Sequence, residues 1–179
     1  MRYKDHIEQV ESLYLPDLPK LINPDLEDII SLSSEIKSSF ENFSQKNIKE
    51  ASINLFNNLE KRIKITSLPI QFWQTPSETL KNEIGDELDY YSLLCSSLIA
   101  LGCVTSKIFI LNSDGKNTIV VYYEHENEIL LFKNNTEPKS FKNKDLFFKY
   151  LIENIKTETI AYEFNDKIYR DITLPLSSS

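Results

Sequence analysis

The chain has 179 residues, with 27 acidic against 20 basic side chains and a net charge of -7, and 41% of it is hydrophobic, which suits one folded domain and argues against global disorder. Its lysines are interleaved with acids (Lys142, Lys144, Asp145, Lys149), so no cationic stripe exists to take up phosphates and nucleic acid is excluded as a general partner. No run approaches the roughly 18–20 apolar residues of a membrane span, and the charged start Met1–His6 precedes no apolar signal region, so a cytoplasmic protein without membrane partners is expected.

Residues 1–22 read as an N-terminal arm, with a short helical piece marked by Ile7, Val10 and Leu13 and a link broken by Pro16 and Pro19. A single α+β domain is expected over 23–174, and 175–179 as a flexible tail. Asn23-Pro24-Asp25 has the chemistry of a helix start: a capping amide, proline at the first helical position and acid in the first turn. Leu26, Ile29, Ile30, Ile36 and Phe40 then give that helix an apolar face. A second helix is expected from about Gln45 to Ile63, with Ile48, Ala51, Leu55 and Leu59 on one stripe, and the pair reads as an αα-hairpin.

A short helix over Ser77–Asn82 follows, with Thr75 as its cap and Pro76 at its first position. The next, from about Asp86 to Leu101, is apolar on nearly every side (Leu88, Tyr90, Leu93, Leu94, Leu98, Ile99) and should be the buried helix. The three glycines of the chain, Gly85, Gly102 and Gly115, each fall at an expected boundary. After Gly102 the period changes from helix to strand. Lys107–Asn112, Asn117–Tyr123 and Glu128–Phe132 predict an antiparallel meander, with His125 in a turn. A helix over Lys144–Ile155 and a closing hairpin of Ala161–Phe164 and Lys167–Ile172 around Asn165-Asp166 complete the chain. Helices first and strands later predict buried helix packed on antiparallel sheet. Tyr122, Tyr123, Phe147 and Phe148 are expected in the core.

The stretch Trp73-Gln74-Thr75-Pro76-Ser77-Glu78-Thr79-Leu80, followed by Gly85-Asp86-Glu87-Leu88-Asp89-Tyr90, resembles the catalytic-helix start of the transglutaminase-like (papain-like) cysteine protease superfamily. There W-x-x-P-x-E-T-L leads into G-D-C-x-D-aromatic. The resemblance covers roughly residues 50–135 and is specific mainly across 72–102. It implies a cysteine at the N-terminus of a buried helix, a histidine base at the start of a strand and an aspartate or asparagine after the next strand to orient the imidazole. Carried over position by position, the nucleophile is Glu87, the base position falls on or beside Asn117, where no histidine stands, and the orienting position falls on Asn134. A carboxylate does not replace a thiolate in acyl transfer at neutral pH, and an amide is no general base. In the same frame Asp89 helps to fix the helix start.

The other reactive groups offer no substitute. Cys95 and Cys103 lack disulfide-framework or zinc-ligand spacing, and Cys95 reads as a small buried hydrophobe. His6 reads as a surface residue, and His125 lies on the wrong side of its strand to serve Cys95. Glu83, Asp86, Glu87 and Asp89 form an acidic cluster with the oxygen chemistry of a hard-cation site, but their simpler role is to favour the helix N-terminus. No cofactor and no metal are expected. The reading is therefore a catalytically inactive transglutaminase-like domain that binds a protein or peptide, with Trp73, Glu87, Asp89, Asn117 and Asn134 as candidate binding residues. The alternative is a hydrolase or metal-dependent enzyme with a remodelled site that uses Glu87.

Overall fold

A computed structural model describes residues 15–66, 73–113, 116–153 and 159–174. The expected helical piece around Ile7–Leu13, Phe72, the Gly115 turn, Ile155 and the 175–179 tail lie outside these residues. Among the described residues are α1 (Glu27–Ser38), α2 (Ile48–Arg62), α3 (Pro76–Asn82), α4 (Glu87–Leu101) and α5 (Lys144–Ile152). The strands are β1 (Lys64–Ile65), β2 (Ile84–Gly85), β3 (Lys107–Ser113), β4 (Lys116–His125), β5 (Glu128–Phe132), β6 (Lys139–Phe141), β7 (Thr159–Phe164) and β8 (Tyr169–Leu174). The class is α+β, as the order of elements implied. No described helix is long and apolar enough to cross a membrane.

α4 is the axis of the molecule. Eleven of its fifteen residues are buried, because it meets helices on one side and the sheet on the other. α1 and α2 pack against it more than against each other, so the expected αα-hairpin is better described as two helices sharing one support. The stripe Ile48, Ala51, Leu55 and Leu59 is fully covered, as its spacing predicts. α4 ends at Gly102, whose φ of 120° disfavours any side chain and lets Cys103 N–H reach Leu98 O at 2.9 Å. A 3₁₀ turn at Leu15–Leu21 adds Leu18, followed by Ile22, to the same core.

α1 starts later than its sequence signals suggest. Asn23 does not cap it. The Asn23 side chain accepts from Asp25 N–H at 3.1 Å and its own N–H donates to Ser96 Oγ at 3.0 Å, which holds 23–25 in a turn against α4. The helix opens at Glu27 instead. α2 is preceded by a 3₁₀ turn, where Ser44 N–H and Oγ both donate to Asn47 Oδ1.

The main sheet has the order β6-β5-β4-β3-β7-β8, antiparallel throughout. Alternation sorts its residues by face. Ile108, Ile119, Val121, Tyr123, Leu130 and Phe132 face the core that α4 shares. Phe109, Leu111, Val120, Tyr122, Ile129 and Leu131 face the opposite way and are covered by Phe147 of α5. The Phe147 ring lies 4.6 Å from that of Tyr122 and 5.8 Å from that of Phe141. β4 extends to His125, which is therefore a strand residue and not part of a turn. The short edge strand β6 and the two-residue parallel pair β1–β2 are additions to the expected elements. β8 begins at Tyr169 because Asn165 Oδ1 accepts from both Lys167 and Ile168 N–H, which holds the turn closed to that point.

The face under α5 holds one buried carboxylate. Glu163 of β7 is 1% exposed and accepts from Tyr122 Oη and from the Arg170 guanidinium, with Lys107 Nζ at 3.8 Å. Four strands are thus tied together by charge on a face that is otherwise aliphatic and aromatic. Glu163→Ala, which leaves the buried Tyr122 hydroxyl without its acceptor while Arg170 stays half exposed and Lys107 keeps Glu124 at 3.9 Å, is expected to cost about 1–3 kcal/mol in urea unfolding.

Candidate functional site

The motif segment forms a small, closely bonded unit at the start of α4. Thr75 caps α3: its Oγ1 accepts from Glu78 N–H at 3.3 Å, and Glu78 Oε2 accepts from Thr75 N–H at 2.8 Å. Pro76 sits at the first helical position, where its missing N–H costs nothing. This reciprocal cap is what the T-P-S-E sequence encodes. Gln74, 4% exposed, bridges the loop to its surroundings: its Nε2 donates to Ile84 O at 3.0 Å and its Oε1 accepts from Asn82 at 3.0 Å. Trp73 is half-buried against the main core.

Asp89 is the centre of this unit. It is 1% exposed, and its two oxygens take separate backbone donors: Gln74 N–H at 2.8 Å and Asp86 N–H at 2.9 Å. Asp86 returns the bond by accepting from Asp89 N–H at 2.8 Å, which makes it the α4 cap. Burial pushes the Asp89 carboxyl up to about 6, opposed by the two backbone donors. Gly85 runs directly above it, and a Cβ there would lie 2.8 Å from Asp89 Cβ and 3.2 Å from Thr79 Cγ2.

Glu87 occupies the first turn of α4 at the surface. Partial burial raises its carboxyl above the ordinary glutamate range; Lys133 opposes that shift and Asp86 adds to it. The segment after β5 is drawn to the same place. Asn134 N–H donates to Tyr91 Oη at 2.9 Å, one turn along α4 from Glu87, and Asn135 N–H donates to Glu60 Oε1 of α2 at 2.7 Å. Glu87, Lys133 and Asn134 therefore gather at one end of α4.

Asn117 sits less well in that arrangement. It lies on the α4-facing side of β4 by alternation with Ile119 and Val121, but its Oδ1 accepts from Asn112 Nδ2 at 2.8 Å across the hairpin. The β4–β5 register pairs Val121 with Phe132. Continued by two residues, that ladder sets Ile119, and not Asn117, opposite Asn134. Among the described residues, no hydrogen bond or ion pair joins Asn117 to Glu87 or Asn134. The base position, expected on or beside Asn117, is thus a matter of strand register, which the sequence alone does not fix.

The remaining reactive groups are elsewhere. Cys95 is fully buried, and desolvation pushes its thiol far up. Cys103 is 4% exposed and raised to about 12, chiefly by burial. His125 ends β4 opposite Glu128, beside the Tyr123 ring at 6.4 Å. The acidic cluster disperses: Glu83 pairs with Arg62 at 2.8 Å, and Asp86 and Asp89 bond backbone. Among the described residues, no group of three or more His, Cys, Asp or Glu is placed to hold a metal ion.

Comparison with solved structures finds Legionella pneumophila LapG. The calcium-bound form is 16% identical with a TM-score of 0.55, covering 100% of this chain and 93% of that one. The EGTA-treated form is 17% identical at a TM-score of 0.53, covering 93% and 87%. A further LapG structure is 17% identical at 0.52, covering 88% and 87%. At this identity the likeness is one of fold, an α+β arrangement of helices on an antiparallel six-stranded sheet. No family model and no curated protein sequence matches the chain.

Two outcomes follow from the Asp89 geometry. Asp89→Asn keeps one acceptor and turns an amide N–H toward a backbone N–H, so a loss of about 1–3 kcal/mol is expected. The folded carboxyl titrates near 6, above the roughly 3.9 of an unfolded aspartate. Its contribution to stability therefore rises as the pH falls through 6 toward 4, and the wild-type margin over Asp89→Asn should be larger at pH 4.5 than at pH 7.5 in urea titrations. Gly85→Ala, which drives a methyl into Asp89, should cost about 1–3 kcal/mol by the same measurement.

Proposed function

We propose that this chain is a transglutaminase-like domain that does not carry out Cys–His–Asp acyl transfer and that holds a protein or peptide segment at the surface around the start of α4. The observation that carries the reading is Glu87: a surface carboxylate at the helix N-terminus where the family motif has its nucleophile. The chain's two cysteines are buried with raised thiols, so neither supplies a thiolate. Half-buried Trp73, next in sequence to the Gln74 that Asp89 holds, and Lys133 and Asn134 beside Glu87 supply an aromatic group, a cation and an amide for contact with a chain. The rigid base under them, from the Thr75 cap to Asp89, suits a surface that must keep its shape.

Peptide display against the immobilised protein should enrich sequences whose capture drops at least about tenfold with Glu87→Arg or Trp73→Ala. Selections that yield nothing, or sequences indifferent to both changes, count against the reading. The lineage has its own test. Glu87→Cys combined with Asn134→Asp and a histidine at 117 or at 119 should gain ester hydrolysis at least about 10²-fold over wild type, dependent on the introduced thiol.

The raised Glu87 carboxyl favours a second reading, a hydrolase that uses this group as acid or base. Wild-type hydrolysis of amide or ester substrates that disappears in Glu87→Gln would establish it in place of the first.

A further inference from the structure

A groove of about 480 Å³ lies between α1, the end of α2 and α3, on a part of the molecule that includes neither Glu87 nor Asn134. One wall is a single face of α1. Asp28 and Glu35 are seven residues apart, two turns and roughly 10 Å along the helix, with Ser31 between them. The floor is apolar: Leu32 is 5% exposed and Leu80 is 6% exposed. The opposite wall carries Arg62 and Lys81. Arg62 is held in place, its Nε donating to Glu83 at 2.8 Å and its Nη2 to Leu80 O at 3.3 Å. Among the described residues, Asp28, Glu35 and Lys81 make no ion pair, so the opposed charges face each other across the groove without closing it.

That arrangement selects among ligands. Two carboxylates two turns apart cannot converge on one cation at the 2.0–2.6 Å that calcium or magnesium requires. A purely anionic ligand would face Asp28 and Glu35, and an uncharged one would leave Asp28, Glu35 and Lys81 partly desolvated without partners. We propose that the groove binds a short zwitterionic peptide, its ammonium against Glu35, its carboxylate against Lys81, and small side chains over Leu32 and Leu80. A tripeptide with free termini spans roughly 10 Å, and the groove volume falls within the roughly 300–1,000 Å³ of small-molecule sites. The inference rests on α1, α2 and α3 alone and does not depend on the fate of Glu87.

The test uses trialanine against the full chain, followed by amide chemical shifts, with acetylated and amidated trialanine as the uncharged control. Shifts should map to Leu32, Leu80 and Lys81, with binding in the millimolar range or tighter and at least about tenfold weaker for the capped peptide. Glu35→Lys and Lys81→Glu, both at exposed positions, should each weaken binding about five- to tenfold, whereas Lys46→Glu, in the 3₁₀ turn that precedes α2, should not. Unfolding midpoints of the variants are measured alongside, so that a lost fold is not read as a lost site. Equal binding of free and capped peptide, shifts confined to Glu87 and Asn134, or no shift at about 20 mM trialanine would each overturn the proposal.

Discussion

A single buried carboxylate holds together the part of the structure that the sequence motif describes. Asp89 uses each oxygen for a different backbone donor, one in the loop before α3 and one at the α4 cap. A residue with one acceptor oxygen cannot do both, and Gly85 comes so close that a Cβ there would meet Asp89 Cβ at 2.8 Å. The W-Q-T-P segment, the α3 cap, the β1–β2 pair and the first turn of α4 all depend on this connection. So does the position of Glu87, two residues before Asp89 on the same turn. The retained motif residues are thus explained by shape: Pro76 and Glu78 build the cap of α3, and Gln74 and Asp89 dock it on α4.

The elements most legible in the sequence were those whose local signals and tertiary packing agree. α4 is apolar all round and is buried all round; T-P-S-E is a cap in sequence and in space; the β3–β4–β5 meander follows its alternation. The expectations that moved did so where a side chain found a distant partner. Asn23 has the chemistry of a helix cap, but its backbone is claimed by Ser96, 73 residues away, and the helix starts later. β6 and β1–β2 are too short to show a period and exist only because a neighbouring strand offers its edge. Glu163 could not be read at all, since its burial depends on Tyr122, Lys107 and Arg170 meeting through three strand pairings.

The candidate site was legible in part for the same reason. Glu87 is fixed by helix-start chemistry, which is local, and stands where the motif places it. Asn134 arrives through a backbone bond to Tyr91, a contact no periodicity reveals. Asn117 depends on strand register, the quantity least constrained by sequence when the turn is not itself diagnostic. The β4–β5 ladder ends at the Val121–Phe132 pair, and Asn117 is bonded to Asn112 at the hairpin. The polar character of this end of α4 comes from Glu87, Lys133 and Asn134.

The two cysteines carry a practical consequence. Both lie in the interior, with thiols held protonated by their surroundings, so the folded protein presents electrophilic reagents with no competing sulfur. A cysteine introduced at position 87 would be the one reactive thiol of the molecule and would sit at the positive end of α4. A maleimide fluorophore attached there would report directly on whatever settles against this surface. The same burial that removes thiol chemistry from the wild-type chain makes it a clean background for that spectroscopic probe.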